Sequence, residues 1–230
     1  MSNSNNKFQN AEKTIAHPDR MFLGFLGFFF FIGVIGHTLP ITQPLMLVLT
    51  PYLLLLCGLI VFIITLREQG WPLLLWAFST FLITFTLEAV GVATGKIFGA
   101  YQYGPVLGIH FWGVPPIIGF NWVLVVLGCA YFVKTQLRIA HPAIGALVAA
   151  LLCVLFDVIL EPLAIRLNYW TWKTVTIPLQ NYAAWFLIAY SFALPTWMFK
   201  RAIRSRILQG YIGIQGVFFI LVQLGLAFTT

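Results

Sequence analysis

Seven stretches of the 230-residue chain are long and apolar enough to cross a bilayer as helices. Such a helix needs about 20 mostly apolar residues, because the hydrocarbon core offers no water to satisfy any backbone that is not internally hydrogen-bonded. The stretches cover residues 21–38, 45–66, 71–94, 114–133, 142–165, 180–198 and 211–228. Pro40, Pro44, Gly70-Trp71-Pro72, Pro115-Pro116 and His141-Pro142 punctuate their ends. The spacing predicts an all-α integral membrane bundle of about seven transmembrane helices. It forms a single domain over 21–230 behind a polar cytoplasmic leader over 1–20. The first run follows Lys7, Lys13 and Arg20 as a signal peptide would, but no small-x-small cleavage site follows Gly36, so it reads as an uncleaved span.

Only 8% of the residues are charged, against about 25% in a soluble domain, which excludes a soluble enzyme. Cys57, Cys129 and Cys153 lie inside apolar stretches without metal-ligand or redox spacing and read as small core hydrophobes. The four histidines, at 17, 37, 110 and 141, form no cluster of the kind a di-iron site needs. A net charge of +7 would suit a nucleic-acid partner in a soluble protein, but its distribution here fits membrane orientation. With the N-terminus inside, the tail and inner loops hold 3, 1, 2 and 4 Lys and Arg, and the outer segments 0, 1, 2 and 0. That is the positive-inside pattern of a multi-pass protein of the cytoplasmic membrane. The group Lys200, Arg201, Arg204 and Arg206 reads as an anchor at anionic headgroups.

Against that background the acids are conspicuous. Glu12, Asp19 and Glu68 fall in the leader or an inner loop and call for no special account. Glu88 lies in span three, and Asp157 and Glu161 in span five, where an ionisable group costs several kcal/mol unless it is paired or faces a polar cavity. Both spans run from inside to outside, which puts the three acids at similar depth in the outer half. Asp157 and Glu161 are one helical turn apart, about 6 Å at Cβ, too close for both to ionise without compensation. Pro162 frees the carbonyl of Val158 beside them. Thr84, Glu88, Gly91 and Gly95 share a face on which the glycines admit a neighbouring helix. Glu88 could equally be an interhelical tie to Lys96 or Arg166.

Two long outer loops are dense in aromatics. The first contains Tyr101, Tyr103, His110 and Trp112, and the second Tyr169, Trp170 and Trp172. An interfacial aromatic belt accounts for such residues. Their concentration on the acid-bearing side suggests instead a cavity whose rings hold an apolar substrate or a developing carbocation. Asn121, Asn181 and Trp185 face the same cavity if they point inward, and His110 is a possible acid–base partner.

Glu88 with its following glycines, Tyr101-Gln102-Tyr103-Gly104, Gly113-Val114-Pro115, Asp157 through Glu161-Pro162, Tyr169-Trp170-Thr171-Trp172, and Pro178 through Asn181-Tyr182 occur in that order. In this series the chain resembles the membrane-integral carotenoid 1,2-hydratases, the type acting on γ-carotene or bisanhydrobacterioruberin, over residues 85–186. The resemblance implies water addition across the terminal C1–C2 double bond of an acyclic carotenoid end, with no cofactor and no metal. It implies as partners a long carotenoid, the bilayer and other enzymes of the pathway. The residue roles come from the chemistry. Hydrating an alkene needs a proton donor and a base that activates water, which assigns Asp157 as donor and Glu161 or Glu88 as base. A carotenoid or isoprenoid cyclase or isomerase would use the same protonation, and a proton-coupled transporter the same buried acids. A retinal receptor is disfavoured, because span seven has no lysine.

Overall fold

The computed structural model describes residues 17–229. The leader therefore lies almost wholly outside the described residues, Lys7, Glu12 and Lys13 with it. The helices are α1 (His17–Thr38), α2 (Gln43–Gln69), α3 (Trp71–Thr94), α4 (Pro116–Phe132), α5 (Pro142–Arg166), α6 (Leu179–Ala193) and α7 (Ile207–Thr229). Two three-residue strands, β1 (Tyr101–Tyr103) and β2 (Trp170–Trp172), form an antiparallel ribbon. The described residues thus form an all-α membrane bundle that carries a small β-ribbon.

Among the described residues six of these seven helices are long and apolar enough to span a membrane, α4 together with the π-helical segment Val133–Leu137 that continues it; α6 is the exception. Its 15 α-helical residues give about 22 Å, and Pro195 turns the continuation into a five-residue 3-10 segment, Leu194–Met198, that adds about 10 Å. The expected span over 180–198 is therefore a composite of two helix types.

Helix α4 is the centre of the bundle. Its sequence is apolar on all sides, and it is buried almost throughout, packed against α2, α3, α5, α6 and α7. On α5, Gly145, Ala146, Ala149, Ala150 and Cys153 form a buried stripe of small side chains. It permits close helix approach, the main source of packing energy where lipid is as apolar as leucine. A β-carbon at Gly145 would overlap the indole of Trp197. The three cysteines are free and buried, as small hydrophobes.

The two ends of the bundle differ. One carries the basic segment after α6, where Asp19 and Glu68 have a definite role. The Asp19 carboxylate accepts from the backbone of Arg206 at 2.8 Å, and that of Glu68 from Ser205 at 2.9 Å and Arg204 at 3.3 Å. These acids, given no role by the sequence reading, tether the 199–206 segment to α1 and α2. The other end carries the ribbon.

In the ribbon Tyr101 pairs with Trp172, Gln102 with Thr171 and Tyr103 with Trp170. Side chains alternate across a strand, so the four aromatics share the inward face, while Gln102 is exposed on the other. The seat is tight at Gly104, whose N–H donates to the Tyr169 carbonyl at 2.8 Å. A β-carbon there would overlap the Asn168 carbonyl oxygen. Gly104→Ala should therefore lift the ribbon, lowering stability by about 1–3 kcal/mol as overpacked sites do. Thermal unfolding of the purified protein in detergent measures the loss.

Candidate active site

Glu88 lies six residues before the end of α3, and Asp157 nine before the end of α5, about 9 and 14 Å of helix from the ribbon end. Asp157 and Glu161 sit on one face of α5, and Glu88 faces them from α3. All three are buried. With Tyr101, Tyr103, Asn121, Trp170, Trp172, Asn181 and Trp185 they line one cavity of about 50 Å³. That volume is of the order needed for one or two water molecules.

Each carboxylate is held differently. Glu88 Oε2 accepts from the Tyr101 hydroxyl and from that of Tyr103 at 2.9 Å, and its Oε1 accepts from the Trp122 indole at 2.9 Å. The partners are three neutral donors, not the Lys96 or Arg166 of the interhelical-tie alternative. Burial, and then the nearby Glu88 charge, push both phenols above their ordinary range, so they stay protonated donors at any physiological pH. Glu161 Oε2 accepts from the indoles of Trp170 and Trp172, each at 3.0 Å. The Asn181 amide donates to Asp157 Oδ2 at 2.8 Å and reaches Glu161 Oε1 at 3.5 Å, so the two acids share one donor. Asp157 accepts through that one oxygen, which leaves Oδ1 uncommitted.

The ribbon explains how so many donors converge. Its inward face presents two phenols to the α3 acid and two indoles to an α5 acid, so one pair of three-residue strands closes the cavity and orients both side chains. Trp122 is the residue the sequence reading missed. It stands one position after Asn121 in an apolar helix, where nothing distinguishes it from core. Its ring stacks on Trp185, centroids 3.8 Å apart at 23°, while its N–H fixes Glu88.

Three of the anticipated residues lie elsewhere. Trp112 is 81% exposed. It has φ 50 and Gly113 φ 79, at the tip of a two-residue hairpin turn between Phe111 and Val114, which sets its ring on the outside of the bundle, 6.3 Å from that of Phe85 and away from the cavity. His110 enters that hairpin and does not line the cavity; its Nε2 is buried without a partner. Tyr169 precedes β2 and, one position out of phase with Trp170, lines an adjoining cavity instead. Gly91, expected to admit a helix, admits a loop ring: its β-carbon would fall 2.7 Å from Phe98. Among the described residues no group of three or more His, Cys, Asp or Glu is placed to hold a metal ion.

Residues 49–228 match the family described as carotenoid biosynthesis protein. The chain belongs to that family. It is also 33% identical over 116 residues to the bisanhydrobacterioruberin hydratase of Haloarcula japonica, an alignment covering 46% of this chain and 38% of that protein. The match thus takes in well under half of the relative's length. No solved structure matches the chain. Family membership and the apolar helices together make this a multi-pass membrane protein of carotenoid biosynthesis, suited to a lipophilic substrate in a bilayer.

Proposed function

We propose that this protein is a cofactor-independent hydratase that adds water to the terminal C1–C2 double bond of an acyclic carotenoid end. The observation that carries this reading is the set of three buried carboxyls around a water-sized cavity walled by aromatic rings. Adding water to a trisubstituted alkene needs a proton delivered to C2, stabilisation of positive charge at C1, and a positioned water with a base.

Asp157 has the fewest donors and a free oxygen, which suits it to carry the transferable proton. Its transfer to C2 consumes the π electrons and leaves a tertiary cation at C1. The rings of Trp170, Trp172 and the Trp122–Trp185 stack stabilise that cation by their quadrupoles, an attraction strengthened by exclusion of water. Glu161, oriented by the two indole N–H groups, takes a proton from the water as its oxygen bonds to C1. The product is the tertiary alcohol, and the proton gained by Glu161 balances the one lost by Asp157. Glu88, with three donors, is the better-compensated anion and the structural clasp of the ribbon. The Haloarcula japonica relative is named as a hydratase, in line with this chemistry.

On this reading the N-terminus is cytoplasmic and the carboxyls lie in the outer half of the cytoplasmic membrane, which the excess of basic residues at the opposite end supports. Residues 21–230 then act as one transmembrane domain. Coexpression in a bacterium that makes lycopene or γ-carotene, with mass analysis of the pigments, tests the reaction. A pigment heavier by one water supports hydration. Rearranged pigment of unchanged mass indicates a cyclase or isomerase, and pigment chemically unaltered but moved in dependence on a pH gradient indicates transport.

A further inference from the structure

The carboxyl cavity is closed at the ribbon end by four aromatic side chains, all hydrogen-bonded to Glu88 or Glu161. Opening it from that side breaks four hydrogen bonds to carboxyl groups, a stronger class than bonds between neutral groups. A different path leads sideways. The carboxyl cavity shares Ile118, Asn121, Leu160 and Trp170 with a second cavity of about 50 Å³. The second shares Thr50, Leu54 and Phe218 with a third, of about 220 Å³, set between α1 and α2. At the outer rim of the third, Phe29, Ile32 and Leu49 are 37%, 47% and 37% exposed on the lipid-facing side of the bundle.

The third cavity has the chemistry of a passage for hydrocarbon. Its polar side chains, His37 and Thr50, lie 3.0 Å apart, and each also contacts a carbonyl of its own helix, Gly33 at 2.7 Å and Met46 at 2.6 Å, so both have partners within α1 and α2. The remaining walls are aliphatic, aromatic or sulfur-bearing. Neighbouring cavities share lining side chains, so joining them calls for rotamer changes at residues such as Leu54 and Phe218 and not for the parting of helices. Pro51, inside α2 next to Thr50, removes one backbone hydrogen bond at the junction and softens the helix there.

We propose that the gap between α1 and α2 is a portal through which one end of a long linear isoprenoid slides from the lipid, past Leu54 and Phe218, to the three carboxyls. This rests on the hydratase reading for the identity of the occupant, and it makes Leu54 a residue that controls substrate access. The bulk of the chain stays in the outer cavity and the bilayer while only its end reaches the acids.

The test uses the full chain in a carotenoid-producing bacterium, with Leu54→Trp and Leu49→Trp to obstruct the path and Leu151→Trp, on the lipid-facing side of α5, as control. Each is made alone and combined with Asp157→Asn, so that carotenoid retained by the purified protein is read by absorbance without turnover. Both obstructing variants should lower retained pigment and, in the active background, conversion by at least about tenfold, while Leu151→Trp matches its parent. Leu49 is partly exposed, so its variant folds even if the Leu54 variant does not. Undiminished pigment and conversion in folded Leu54→Trp, or in Leu49→Trp should the former not fold, would overturn the portal. If the parent retains carotenoid that the obstructing variants lose, yet no product is heavier by a water, the portal stands and the hydratase reading fails.

Discussion

Asp157→Asn is expected to abolish product formation while leaving a protein that inserts, folds and keeps its pigment. The change preserves size, and the new amide oxygen still accepts from Asn181, so the contact at 2.8 Å survives. What is lost is the acidic proton. A general acid contributes about a hundredfold to ten-thousandfold in rate, and protonation of an unactivated alkene leans on its donor more than most reactions. The conversion rate of purified protein, normalised to folded yield, is the measurement. Near-normal turnover by the folded variant would remove Asp157 from the donor role and return the choice to Glu161 and Glu88.

Glu88→Leu is expected to have the largest effect on stability. The carboxylate is the shared acceptor for Tyr101, Tyr103 and Trp122, and leucine would strand all three donors in an apolar interior. Each stranded donor costs about 1–3 kcal/mol, so the variant should lose about 3 kcal/mol or more and release the ribbon. Adding Tyr101→Phe and Tyr103→Phe removes two of those donors and should restore part of the loss, although the single phenylalanine changes in the parent are destabilising. That reversal of sign, seen by thermal unfolding in detergent, would separate a clasp from a packing residue. An unchanged unfolding temperature in Glu88→Leu would contradict the clasp.

Much of the bundle is legible in the sequence because a bilayer demands long uninterrupted apolar runs. The span expected over 71–94 coincides with Trp71–Thr94, and the others differ mainly at their ends: α1 and α2 run on into the polar residues 17–20 and 67–69, whereas α4 begins only after Pro115. Span six is harder to read, since apolar composition does not register the change of helix type at Pro195. The three membrane acids stand out because charge is so scarce, and the structure gathers them around one cavity. The ribbon was not anticipated, although Tyr-x-Tyr and Trp-x-Trp carry the two-residue period of strands. Three residues are too few to show a period, and a pairing between residues 101 and 172 is a fact of tertiary structure. Trp122 is invisible for the same reason that α4 is central: a helix apolar on all sides offers no contrast. Trp112 misleads in the opposite sense, as its composition resembles that of the site while the turn at Gly113 carries it outward.

If carboxyl side chains of this protein add water to an alkene, the oxygen of the new hydroxyl comes from solvent. Purified protein in detergent, given an acyclic carotenoid in water enriched in heavy oxygen, should yield a tertiary alcohol bearing that isotope at C1, and the Asp157→Asn protein should yield none. Recovery of substrate without incorporated oxygen, or of a product with no oxygen gained, from wild-type protein that binds the pigment would mean that this protein is not a hydratase.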